Sequence, residues 1–222
     1  MSLDFDRVYQ LDHVPDLEEA KVATSYEWEG VTYELRNHID GWLVAVRSAS
    51  PSATIYPRRV DAEYAFGRVI VDVLLSTAGT RVGWNEQNLA GVTCDSNGTR
   101  WAVAWLQAGR PYFRDVDDWH SAHTTLADTL DAMAKQPVYT GSNMEDEILQ
   151  AYLRLAASST RATIDRAHLG DALREWRPQI QADRRVADIA KHLDVDRKFL
   201  YRVFDGTEWC PRYTPAGTAP VS

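Results

Sequence analysis

VADIAKHLDVDRKFLYRVFD, Val186 to Asp205, is the stretch that orders the reading of this chain. Its apolar residues fall at helical spacing in two short runs, parted by a polar step at Asp194 and Asp196. Ile189 and Leu193 give the inner face of a first helix, Leu200 and Val203 that of a second, and Val195 fills the turn. Ala190 is small enough for the second helix to cross the first at that point. Asp196 is a good N-cap for the second helix. Asp194 stands where the tight turn needs a left-handed residue, a conformation Asp tolerates better than most. The outward positions of the second helix are Arg197, Lys198, Tyr201 and Arg202.

These 20 residues resemble the helix-turn-helix of many bacterial regulators, the AraC-like and resolvase-like groups among them. That family usually has Gly where Asp194 stands. The resemblance implies that the second helix lies in the major groove of double-stranded DNA and offers its first side chains to base edges. It assigns DNA contacts to Arg184, Arg185, Lys191, Arg197, Lys198, Tyr201 and Arg202. Residues 183–205 hold six basic residues and five Asp, a net of only +1. The Asp residues must therefore cap helices or face away, or a homodimer must double the phosphate contacts. The same apolar pattern also suits a hairpin in an ordinary core.

Upstream, the spacing predicts a helix over Met144 to Ala157, acidic in its first turn, with Ile148, Leu149, Tyr152 and Leu155 as its apolar stripe. A further helix is predicted over Thr163 to Trp176, with Leu169, Leu173 and Trp176 inward, ended or kinked at Arg177-Pro178. Pro137 and Gly141 mark residues 137–143 as a linker ahead of a helical domain over 144–209. Residues 210–222, rich in Pro, Thr and Gly, read as a disordered tail.

The first half reads as an internal repeat. Gly30-Val31-Thr32 recurs as Gly91-Val92-Thr93, Trp42 as Trp101, and Arg59-Val60-Asp61 as Asp115-Val116-Asp117. Each copy runs strand, Asp-Gly or Asn-Gly turn, alternating strand, third strand, then a helix opened by an acidic N-cap, Asp61 or Asp117. The first helix carries Tyr64, Val69, Val73 and Leu74, and the second Trp119, Leu126, Leu130 and Met133. The fold class expected is α+β, with two β-β-β-α repeats (26–80 and 81–136) followed by a helical helix-turn-helix domain. The Gly-Val-Thr, the Trp and the helix after strand three resemble the AP2-like fold of phage integrase arm-binding domains. There a three-stranded sheet enters the major groove, carrying several Arg on its exposed face. Here the second copy offers Arg100, Arg110 and Arg114 against Asp115, Asp117 and Asp118, so packing competes with DNA contact as its role. Alternation beside Val places Trp42, Trp101 and Trp105 in a core rather than against bases.

The chain has 222 residues and a formal charge of −8, which argues against a protein that coats nucleic acid. Residues 1–29 carry −6 of it, and residues 144–222 are neutral. Residues 1–25 are therefore expected to pack loosely or to meet a protein partner. No apolar run reaches about 18 residues, so no membrane contact is expected. The first six residues lack the pattern of a signal peptide. Two distant cysteines, Cys94 and Cys210, read as reduced thiols, and the cytoplasm is the expected compartment. Arg outnumbers Lys 20 to 4, as in a GC-rich genome such as that of an actinobacterium or its phage. His120 and His123 suit a helix surface better than a metal pair. Asp115, Asp117 and Asp118 suit a cap better than an acid catalyst. No catalytic, phosphate-loop or zinc motif is present, and no cofactor is expected. The expected function is a non-enzymatic, sequence-specific DNA-binding regulator. The alternative is an interaction or inhibitor protein that binds a partner through its acidic N-terminal half.

Overall fold

The computed structural model describes residues 9–10, 20–136 and 142–211. Nine strands come first: β1 (Tyr9–Gln10), β2 (Lys21–Trp28), β3 (Val31–His38), β4 (Gly41–Arg47), β5 (Ser52–Tyr56), then, after α1 (Arg59–Ser76), β6 (Thr80–Asn85), β7 (Asn88–Cys94), β8 (Trp101–Gln107) and β9 (Arg110–Val116). Five helices follow: α2 (Trp119–Lys135), α3 (Asn143–Glu175), α4 (Arg177–Ala182), α5 (Val186–His192) and α6 (Arg197–Phe204). The class is α+β: two sets of strands, each followed in sequence by a helix, precede a helical C-terminal region. Each set has four consecutive antiparallel strands rather than three, because β2 and β6 pair ahead of the strands that the Gly-Val-Thr landmark marked. The first compact unit ends at Val116, and the second runs Asp117–Thr214, so α2 belongs with α3.

In the first unit the sheets run β1-β5-β4-β3-β2 and β6-β7-β8-β9. Two-residue turns at Glu29-Gly30 and Ala108-Gly109, all four with positive φ, close the β2–β3 and β8–β9 hairpins. One face of the first sheet offers Tyr26, Trp28, Tyr33, Leu35 and Val44 to the core; one face of the second offers Leu89, Ala102, Ala104 and Leu106. α1 packs against both faces with Phe66, Ile70, Val71 and Leu74. On the second sheet small residues let the helix come close. A methyl group on Gly91 would stand 3.0 Å from Leu75, Ala78 and the Thr80 carbonyl at once. Gly91→Val should therefore cost about 1–3 kcal/mol by overpacking, read as a lower denaturant midpoint of the first unit; an unchanged midpoint would refute this packing.

The Gly-Val-Thr pair is not structurally equivalent: Gly30 lies in a turn and Gly91 inside β7. The Trp pair occupies matching strands but sits one residue out of step, second in β4 and first in β8. A one-residue offset reverses the face. Trp42 packs on the α1 core, whereas Trp101 alternates with the core-facing Ala102 and is buried on the other face. Trp101 is buried, as expected, and Trp42 is half-buried. α1 starts two residues before Asp61, which instead pairs with Arg58 at 2.6 Å. The cap of α2 is Asp118, not Asp117; it accepts from the Ser121 amide at 2.7 Å. On α1, Tyr64 is exposed, while the expected Trp119, Leu126, Leu130 and Met133 of α2 are all buried.

Residues 21–25 are not loose. They form most of the edge strand β2, and Arg36 donates to the Ala20 carbonyl at 2.9 Å. The rest of the acidic segment lies outside the described residues apart from β1, as do 137–141 of the linker and 212–222 of the tail.

In the second unit α2 and α3 pack together as an antiparallel pair. Arg161 bridges Asp128 at 3.1 Å and Asp131 at 2.6 Å, and His120 stacks on His168 with centroids 4.4 Å apart. α3 is one helix of 33 residues where two were expected. Ser158-Ser159-Thr160 does not break it. Thr160 and Thr163 turn their hydroxyls onto the carbonyls four residues back, at 2.9 and 3.0 Å, and the helix continues through them. Its buried stripe is Leu149, Leu153, Ala157, Thr160, Ile164 and Ala167; Ile148, Tyr152, Leu155, Leu169 and Trp176 are exposed, against expectation. α3 does end at Trp176, and α4 restarts with Pro178 in its first turn, where a proline is tolerated.

Candidate nucleic-acid interface

α4, α5, α6 and the end of α3 share a small core of their own: Leu173, Ile180, Ala190, Leu200, Val203 and Phe204, edged by Val186, Ile189, Leu193 and Val195. The local signals act as the sequence suggested. Asp194 adopts φ 52° in the turn, and Asp196 caps α6 by accepting from the Phe199 amide at 2.6 Å. Ala190 is buried where α5 meets α6. Leu200 and Val203 are fully enclosed, while Arg197, Lys198, Tyr201 and Arg202 are exposed. Arg184, Arg185 and Lys191 are exposed as well, Arg184 with φ 56° in the turn between α4 and α5.

The five acids of this segment are partly spent. Asp196 is a cap, Asp205 pairs with Arg177 at 3.0 Å, and Asp183 accepts from Gln179 at 2.9 Å. Arg197, Lys198, Lys191, Arg184 and Arg185 form no ion pair among the described residues. Arg202 is less free than its position implied. Its guanidinium lies 5.2 Å from the Phe199 ring centroid and 3.7 Å from the Glu208 carboxylate.

Two arginines that the sequence reading passed over hold α6 from behind. Arg174 donates to the Val203 carbonyl at 3.0 Å, the Trp209 carbonyl at 3.1 Å and Asp171 at 2.7 Å. Arg177 donates to the Phe204 carbonyl at 3.2 Å. They satisfy the orphan carbonyls at the end of α6 and set positive charge at its negative pole. Asp171 apart, their partners lie 27 to 35 residues away, so no local pattern marks their hold on α6. Together they fix an eight-residue helix whose other face is solvated.

The other candidates resolve into structure. Arg100 pairs with Asp115 at 2.5 Å, donates to the Glu27 carbonyl and lies over Tyr26 and Trp28, so it ties the two sheets together. The Tyr26 hydroxyl donates to the same Asp115 at 2.9 Å. His123 is buried with Nδ1 2.9 Å from the Trp119 carbonyl, and burial lowers its pKa. His120 instead faces His168 and Asp171. Cys94 and Cys210 are free thiols; burial and the Asp95 charge push the Cys94 thiol up to about 11. No helix among the described residues is long and apolar enough to cross a membrane. Family models, curated proteins and solved structures return no match to this chain.

Proposed function

We propose that the chain is a sequence-specific regulator that binds double-stranded DNA, non-enzymatic and cytoplasmic, with α6 in the major groove. The observation that carries this reading is the division of α6. One side is buried and clamped by Arg174 and Arg177, while Arg197, Lys198 and Tyr201 project from its first two turns into solvent. In that pose Arg197 and Lys198 reach base edges or phosphates, Arg184, Arg185 and Lys191 meet the backbone, and Arg202 joins only by leaving Glu208. The first unit supplies packing rather than base readout, since Arg100 is committed within it.

The test is selection from a pool of randomised duplexes, followed by titration of the winner over a salt series. An enriched motif with a steep salt slope is expected. Arg197→Ala should either relax one base position by about 1–3 kcal/mol or weaken all duplexes alike and flatten the slope by about one unit. Arg202→Ala should do less, because its charge is already shared with Glu208. If no motif is enriched, or if replacing Arg197, Lys198, Tyr201 and Arg202 by Ala together leaves binding intact, the proposal fails.

A further inference from the structure

We infer that two copies of this chain pair antiparallel through the exposed face of α3, crossing near Ala162. Six of the thirteen large apolar side chains left exposed among the described residues lie on α3 or at its cap. They are not scattered. Ile148, Leu155, Ala162, Leu169 and Trp176 recur every seventh residue along one face, opposite a buried stripe that already serves the fold. Leu155 is 69 % exposed, Trp176 61 % and Ile148 46 %. A face that met only water would carry no reason for a seven-residue apolar period; a second helix crossing at a shallow angle supplies one.

The face is graded along its length, and the gradient selects the partner and its direction. At the N-terminal end Met144, Ile148 and Leu155 project. In the middle Ser158 and Ala162 are small, so two helix axes can approach closely. At the C-terminal end Leu169, Leu173, Trp176, Ile180 and Ile189 line an apolar cleft of about 420 Å³. Antiparallel pairing seats the projecting end of each copy in the cleft of the other; parallel pairing would set projection on projection and cleft on cleft. Charge bears on the direction alone: parallel pairing would set Glu145, Asp146 and Glu147 of the two copies against each other, whereas antiparallel pairing sets them at a cleft rim where Arg185 stands with Asp183. A 33-residue helix is about 50 Å long. Pairing about Ala162 overlaps residues 149–175 of the two helices, about 40 Å, so a strip about 10 Å wide on each copy gives about 800 Å² in all, and the seating of Met144 and Ile148 in the cleft must supply the rest of the about 1,000 Å² of a specific interface.

Pairing about Ala162 also has a geometric consequence, and this clause alone rests on the proposed DNA binding. Leu173, the α3 member of the α6 core, lies about 17 Å along the helix from Ala162. Two copies are then offset along the axis by about 33 Å, close to the one-turn separation of adjacent major-groove half-sites, about 34–36 Å.

The mass of the full chain, measured by sedimentation equilibrium without DNA, tests the pairing independently of DNA binding. The expected mass is twice the 25.1 kDa chain. Leu155→Arg, at an exposed position, should weaken the dimer about tenfold or more and leave the helix content read by circular dichroism unchanged. If that variant does not fold, direct cross-linking decides. In a Cys210→Ser background, Ala162→Cys should oxidise to a covalent dimer because the residue meets its own copy. Ile148→Cys alone should not, and Ile148→Cys with Trp176→Cys should. A monomer at about 100 µM, where even a weak interface of this size is populated, overturns the inference. So does a dimer that forms no Ala162→Cys cross-link or tolerates Leu155→Arg. Cross-linking through Ile148→Cys alone would show parallel pairing and overturn it as well. A dimer that binds no DNA would keep this inference and sink the proposed function.

Discussion

Leu200→Ala is expected to cost the C-terminal helices about 2–5 kcal/mol. Leu200 is fully buried among Leu173, Ile180, Ala190, Val203 and Phe204, and these six make up the buried part of that core. So small a core supplies only a few kcal/mol of net stability. Losing one fully enclosed Leu therefore consumes much of it. Hydrogen exchange of the α5 and α6 amides is the direct measurement: protection should fall by one to several factors of ten, while the strands of the first unit keep theirs. The proposed DNA binding should disappear with the fold of α6, in contrast to Arg197→Ala, which should leave protection untouched. Leu200→Met, nearly equal in volume, should cost under about 1.5 kcal/mol. A loss below about 1 kcal/mol for the Ala variant would mean that α6 is not held by this core.

Gly170→Ala should also destabilise, although the usual sign is the opposite. In an exposed helix interior Ala is favoured over Gly by about 0.8–1.0 kcal/mol. Here a methyl group on Gly170 would stand 1.9 Å from the Trp209 carbonyl oxygen and 3.0 Å from the carbon behind it. That oxygen is backbone, and it accepts the 3.1 Å hydrogen bond from Arg174. To make room, residues 207–210 must leave α3, Arg174 must give up one of its acceptors, and Phe199 loses the edge contact of Trp209 at 5.2 Å. The combined effect should exceed the helix gain and leave a net loss of about 1–3 kcal/mol, read as a lower denaturant midpoint and faster exchange at the end of α6. A raised melting temperature would show that the 207–210 segment does not press on α3.

What the sequence by itself determined lies within one or two turns of the chain. The α5–α6 pair follows from Ile189, Leu193, Leu200 and Val203 at helical spacing, the left-handed Asp194 and the cap at Asp196. All of these act between residues at most four or five apart, where side-chain chemistry dictates backbone geometry. The strand-then-helix order was legible for the same reason. Only the tertiary structure decided the rest. It chose which stripe of α3 is buried, because α2 packs on Leu149 and Leu153 rather than on Ile148 and Leu155. It carried α3 through Ser158-Ser159-Thr160, weak helix formers whose cost is offset by that packing. It also divided arginines that look alike in sequence. Arg100, Arg174 and Arg177 are spent on partners up to 73 residues distant, while Arg197 faces water. A guanidinium carries the same charge in either setting. Which acceptors surround it depends on chain segments brought together by burial, and no local pattern encodes that.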